Sequence, residues 1–125
     1  MKEIIKTEKA AQPVGPYNQA VKFNNMLFVS GQIPLDPATG ELVKGDVQQQ
    51  TRMVMDNMKA ILEAAGMDFS HVLKCSIFIS DMNDFPKINE VYASYFPADP
   101  PARETVQVGA LPKFVDVEIS CIAAL

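Results

Sequence analysis

The chain has 125 residues, 48% of them hydrophobic and 21% charged, with a formal net charge of −4. That is enough to bury one core but not two, so a single domain over residues 1–125 is expected. Without a run of Lys or Arg there is no phosphate-tracking surface, and nucleic acid is not expected as a partner.

No apolar stretch reaches the length of a membrane span and residues 1–6 do not resemble a signal peptide, so the expected location is the cytoplasm with no membrane partner. Cys75 and Cys121 should then be reduced thiols. The lone His71 has no Cys or His at ligand spacing, so neither a metal nor another cofactor is expected.

Residues 3–7 alternate weakly and read as an edge strand, whereas residues 10–17 contain Pro13, Gly15 and Pro16 and must be irregular. A Gly-Pro turn can hold the Tyr17 ring rigidly as the wall of a site, but burial in a core is the commoner use of such a ring. Residues 20–23 and 26–30 flank Asn24-Asn25, the signal of a tight hairpin. Ser30 ends its strand before Gly31, where the missing side chain allows another group to approach, although Ser-Gly also simply starts turns.

Residues 46–65 form the clearest predicted helix, with Asp46 as cap, Gln49 at the capping-box position and Gly66 as stop. Its apolar stripe runs through Val47, Thr51, Val54, Met55, Met58, Ile61, Leu62 and Ala65, with methionine as core filler. Residues 72–80 follow as a strand with Cys75, Ile77 and Ile79 on one face and Lys74, Ser76 and Phe78 on the other. His71 at its mouth has no partners for a triad and reads as structural. A second helix is predicted over residues 83–96, with Pro86 in the first turn and Phe85, Ile88, Val91, Tyr92, Tyr95 and Phe96 inward.

Two final strands, residues 103–108 and 115–122, are separated by Gly109, Pro112 and Lys113 and read as neighbours in one sheet. Alternation groups Arg103, Thr105 and Gln107 against Glu104, Val106 and Val108. It also leaves Glu118 and Ser120 opposite an apolar face of Val117, Ile119, Cys121 and Ala123. The expected fold is α+β, with both helices on one face of the sheet and Arg103, Thr105, Glu118 and Ser120 together on the other. That face also carries Ile122, so it needs cover, and oligomerisation is the simplest. On the residues alone, Arg103 and Glu118 read equally well as a structural ion pair across adjacent strands.

Four segments, in order, carry a resemblance. They are Gly15-Pro16-Tyr17, then Ser30-Gly31-Gln32-Ile33-Pro34, then Asp84-Phe85 with Asn89 and Tyr92. Last come Pro101-Ala102-Arg103 with Val106 to Lys113 and Val117-Glu118-Ile119. Together they resemble the RidA/YjgF family, the reactive intermediate (enamine/imine) deaminases.

The resemblance implies a single six-stranded mixed sheet with two helices packed on one face, chorismate-mutase-like, assembling as a trimeric barrel with sites between subunits. It implies a 2-iminobutanoate/2-iminopropanoate deaminase without a cofactor. Its substrates would be small carboxylate-bearing enamines and imines, such as 2-aminoacrylate and 2-iminopropanoate, hydrolysed to 2-oxo acids and ammonia. Residue by residue, it makes Arg103 the anchor of the substrate carboxylate and Glu118 the group that orients water. Tyr17, Ser30, Gly31 and Asn89 become pocket residues, and the backbone at Thr105 meets the substrate nitrogen. Thr105 stands where many relatives have Cys, and Glu104 where several have Ser.

The chemistry is consistent with this. A guanidinium fork matches a carboxylate, a carboxylate can take a proton from water, and hydrolysis of an activated imine needs positioning above all. Two alternatives are a non-catalytic 2-oxo-acid-binding regulator and an endoribonuclease or translation inhibitor. The acidic composition and isolated His71 weigh against the second.

Overall fold

The computed structural model describes residues 1–125. In chain order it contains β1 (Glu3–Ile5), β2 (Ala20–Phe23), β3 (Met26–Gln32), α1 (Val47–Ala64), β4 (Val72–Ile79), α2 (Phe85–Ser94), β5 (Ala102–Gln107) and β6 (Val117–Ala124). The strands form one six-stranded sheet in the order β1-β2-β3-β6-β4-β5. Every neighbouring pair is antiparallel except β4 and β5, which are parallel and joined through α2. The expected α+β architecture, with both helices on one sheet face, is what the chain adopts.

Local chemistry explains the best-defined elements. Asp46 Oδ1 accepts from Gln49 N at 2.9 Å while Gln49 Oε1 accepts from Asp46 N at 2.9 Å, a reciprocal cap on α1. Beyond its C-terminus Gly66 takes φ +75°, the left-handed turn that glycine enters freely. In the β2–β3 hairpin Phe23 pairs with Met26, and Asn24 takes φ 54°. Thr51 Oγ1 donates to Val47 O at 2.7 Å, so this buried position on α1 carries no unpaired hydroxyl. Helix α2 is shorter than expected, because residues 82–84 form a separate 3₁₀ turn ahead of Phe85.

Two expectations are corrected. First, β5 and β6 are not neighbours: β6 lies between β3 and β4, and β5 is the outer edge beyond β4. A link through α2 places β5 parallel to β4, and the long irregular link that follows lets β6 return to the centre. The burial patterns agree, since β6 alternates buried and half-buried residues while β5 is largely exposed and charged, as an edge tolerates.

Second, Arg103 and Thr105 do not share a face with Glu118 and Ser120. Register partners point to the same side, and Arg103 pairs with Cys75 and Thr105 with Ile77, both on the helix-covered face. Glu118 pairs with Phe78 and Ser120 with Ser76, on the uncovered face. Glu104 pairs with Ser76 and joins that uncovered face, where its carboxylate meets Lys74 Nζ at 2.9 Å.

The uncovered face is strongly apolar. Ile4, Phe23, Phe28 and Val106 are 38%, 47%, 47% and 41% exposed there. At one end a satellite cluster of Ala11, Ile33, Leu35, Leu111 and Val115 closes over it, with Phe78 packed alongside. Cys75 and Cys121, far apart in sequence, are direct register partners in the main core and remain free thiols. No helix is long and apolar enough to cross a membrane.

Candidate active site in two halves

The first half is built on the outer edge of the sheet. Phe85, Asn89 and Tyr92 follow one another on α2 at spacings of four and three residues, so they share one face of the helix. Asn89 Oδ1 accepts from Arg103 Nη1 at 2.7 Å. The Arg103 guanidinium carbon lies 5.4 Å from the centre of the Phe85 ring and 5.1 Å from that of Tyr92. One acceptor and two aromatic faces thus orient a planar cation that keeps most of its donors free. It opens on a cavity of about 450 Å³ lined by Asn89, Tyr92, Pro100 and Pro101. Burial pushes the Tyr92 phenol well above its ordinary range, with the neighbouring Cys75 pushing the same way, and burial also raises the Cys75 thiol. Both are neutral near pH 7, so Arg103 supplies the charge of this half.

The backbone of β5 adds to it. Val108 N donates to Ile79 O at 2.9 Å, so Val106 and Glu104, two and four residues earlier, also turn their peptide groups toward β4. The N–H and C=O of Arg103 and Thr105 consequently point out from the free edge. Thr105 therefore offers main-chain groups beside the guanidinium, while its own hydroxyl is buried without a partner.

The second half lies on the uncovered face, around a cavity of about 460 Å³ that brings together Tyr17, Ser30, Gly31 and Glu118 with Val14, Ile33 and Pro112. A bulge makes it possible: Val29 pairs with Cys121 and Gln32 with Ile119, so Ser30 and Gly31 occupy the space of one residue on β6. A Cβ on Gly31 would lie 2.7 Å from both Cδ and Oε1 of Glu118, so only glycine leaves that carboxylate its place. Ser30 Oγ donates to Asn18 O at 2.6 Å, and the Tyr17 hydroxyl accepts from Val14 N at 3.2 Å. Burial alone raises the pKa of half-buried Glu118 above its ordinary 4.5. A carboxylate so placed is a stronger base than one in water.

Every expected site residue except Thr105 lines one of these two cavities, and the residues form two groups. Tyr17, Ser30, Gly31 and Glu118 meet on one side of the sheet, Arg103, Asn89 and the Thr105 backbone on the other. His71 belongs to neither: its Nδ1 accepts from Asp68 N at 3.0 Å within a 3₁₀ turn.

Residues 7–125 match the family described as Endoribonuclease L-PSP, the grouping of the YjgF and RidA proteins. The chain belongs to the RidA/YjgF family. It is 58% identical over 123 residues to a RutC family protein of Pyrococcus horikoshii, covering 98% of each chain. To the 2-iminobutanoate/2-iminopropanoate deaminase of Mus musculus it is 44% identical, over 98% of this chain and 91% of that one. Its structure resembles that of E. coli TdcF with bound serine at a TM-score of 0.94 and 47% identity, over 98% of both chains.

Two residues that support this RidA/YjgF site were not found from sequence. Gln19, 3% exposed, accepts from Thr7 N at 2.8 Å and donates to Thr7 O at 3.0 Å and Ala11 O at 2.9 Å. Asn57, 1% exposed, accepts from Ala11 N at 3.2 Å and donates to Leu35 O at 2.8 Å. Together they fix the irregular segment that carries Val14 and Tyr17. Asn57 had a signal: it lies three residues after Val54 and four before Ile61, a polar side chain on the apolar stripe. Gln19 had none.

Proposed function

We propose that this chain hydrolyses enamine and imine intermediates derived from amino acids, such as 2-aminoacrylate and 2-iminopropanoate, to 2-oxo acids and ammonia. The observation that carries the reading is the pair of half-sites. One presents an oriented guanidinium beside free main-chain groups, the other a desolvated carboxylate above a glycine. The deaminase activity named for the mouse relative supports it.

In this mechanism Arg103 grips the substrate carboxylate with its fork, and the Thr105 carbonyl accepts from the imine N–H. Glu118 takes a proton from water as the oxygen attacks the C=N carbon, and the carbon–nitrogen π pair moves to nitrogen. That proton passes to the nitrogen to give the carbinolamine, and Glu118 then takes the hydroxyl proton and delivers it to the amine. The C–N bond breaks, releasing ammonia, and the C=O of the 2-oxo acid forms. Most of the acceleration comes from positioning, since the imine is already electrophilic.

Arg103 and Glu118 lie on opposite faces of their sheet, so a complete site takes Glu118 from one copy and Arg103 from another. A homotrimer whose uncovered apolar faces pack together is the assembly proposed. RNA cleavage is not favoured, because His71 is committed to its turn and neither cavity combines a histidine with phosphate-binding cations.

The test generates 2-aminoacrylate from serine with a pyridoxal-phosphate lyase and follows imine absorbance and ammonia release. Faster decay with added protein is expected. Unchanged decay of serine-, threonine- and leucine-derived imines, from protein that still binds 2-oxobutyrate, would leave only a ligand-binding role.

A further inference from the structure

The link between β5 and β6 contains a tight turn, Pro112–Phe114, with firm ends and a strained middle. Leu111 and Val115 on either side are 8% and 6% exposed and packed in the satellite cluster. Phe114 N donates to Leu111 O at 2.8 Å. Between these anchors Lys113 and Phe114 take φ 56° and 55°, a region that glycine enters freely and a bulky residue does not. Yet the Phe114 ring is 87% exposed. Backbone strain and an apolar ring in water thus coincide at one position, where the anchors rule out a slack loop as the reason.

Pro112, the first residue of the turn, lines the Glu118 cavity, so the turn that carries Phe114 forms part of the rim of that cavity. Where a second copy completes the site, this rim meets the rim of the Arg103 cavity, whose Ala93, Phe96, Pro100 and Pro101 form an apolar surface suited to an aromatic ring. We propose that Phe114 is the contact that joins the two halves. Its ring packs on the Arg103 half-site of a second copy of this chain, closes the pocket to water and thereby sets substrate affinity. This rests on the two-copy site proposed above.

The chain has no tryptophan, so Phe114→Trp introduces a single indole at this point. In the assembled protein its emission should be blue-shifted from that of the denatured variant and protected from acrylamide. Phe114→Gly relieves the strain and removes the ring. The melting temperature should hold or rise, self-association should weaken, and KM for an imine generated in situ should increase about tenfold with kcat within about twofold. An indole that emits as in denaturant from protein that sediments as an oligomer, with KM unchanged in Phe114→Gly, overturns the proposal and leaves the deaminase reading intact. An oligomer inert toward imines overturns that reading instead, and the indole still decides the place of Phe114. A monomeric wild type overturns both.

Discussion

At the scale of single residues, Glu118 and Gly31 act as one device. Gly31→Ala places a methyl group where the Glu118 carboxylate now lies, but the end of a flexible side chain can move aside. The variant should fold with a melting temperature within a few degrees of wild type and lose roughly tenfold or more in kcat/KM, as expected when a base is misplaced. Thermal melts beside the coupled assay check both halves of that statement.

The raised pKa of Glu118 gives a pH signature. As a base the side chain must be ionised, so the acid limb of kcat/KM should lie above the ordinary 4.5. Glu118→Gln should abolish the limb along with most of the rate. The stability effect has the same origin. A carboxyl with a raised folded pKa binds its proton more tightly folded than unfolded, and so favours folding at low pH. That contribution is lost as pH rises from the ordinary value through the raised one. Melting temperatures should therefore show Glu118→Gln gaining on wild type across that window and levelling off above it.

At the scale of elements, α1 depends on a local device independent of the site. Asp46→Ala removes the acceptor for Gln49 N and should cost about 1 kcal/mol, a fall of about 3–6 °C in melting temperature, with the kinetic constants unchanged. A change in KM would mean that the α1 N-terminus communicates with the Glu118 cavity. The edge position of β5 works in the opposite sense. It leaves Arg103 and the Thr105 peptide groups accessible at little cost to the core, because β5 buries so little.

At the scale of the whole molecule, the division of the site between two faces predicts complementation. Arg103→Ala and Glu118→Gln should each be nearly inactive. In any trimer containing both variants, one of the three junctions pairs an intact Arg103 with an intact Glu118. Random equimolar mixing puts about three quarters of trimers in that state, so the refolded mixture should regain roughly a quarter of wild-type activity. Sedimentation equilibrium of the same mixture checks the assembly. No recovery from mixed trimers would mean that both groups act within one copy or that one of them is not catalytic.

The residues by themselves determined what depends on neighbours along the chain. Asp46, Gln49 and Gly66 marked the bounds of α1 because capping acts within a single turn, and Asn24-Asn25 marked the hairpin because turn geometry is set by two residues. Alternation correctly separated Arg103 from Glu104 and Glu118 from Ile119, since successive side chains of a strand point to opposite sides. The site residues were legible only through the four family segments, because Arg103 and Glu118 read equally well as an ion pair. Tertiary structure alone decided which faces coincide. Alternation has no absolute sign, and the side on which Arg103 lies depends on its pairing with Cys75, 28 positions away, rather than with β6. Gln19 and Asn57 were hidden for the same reason: their partners Thr7 and Ala11 lie 12 and 46 positions distant, and no local pattern records a hydrogen bond that exists only once the chain has folded.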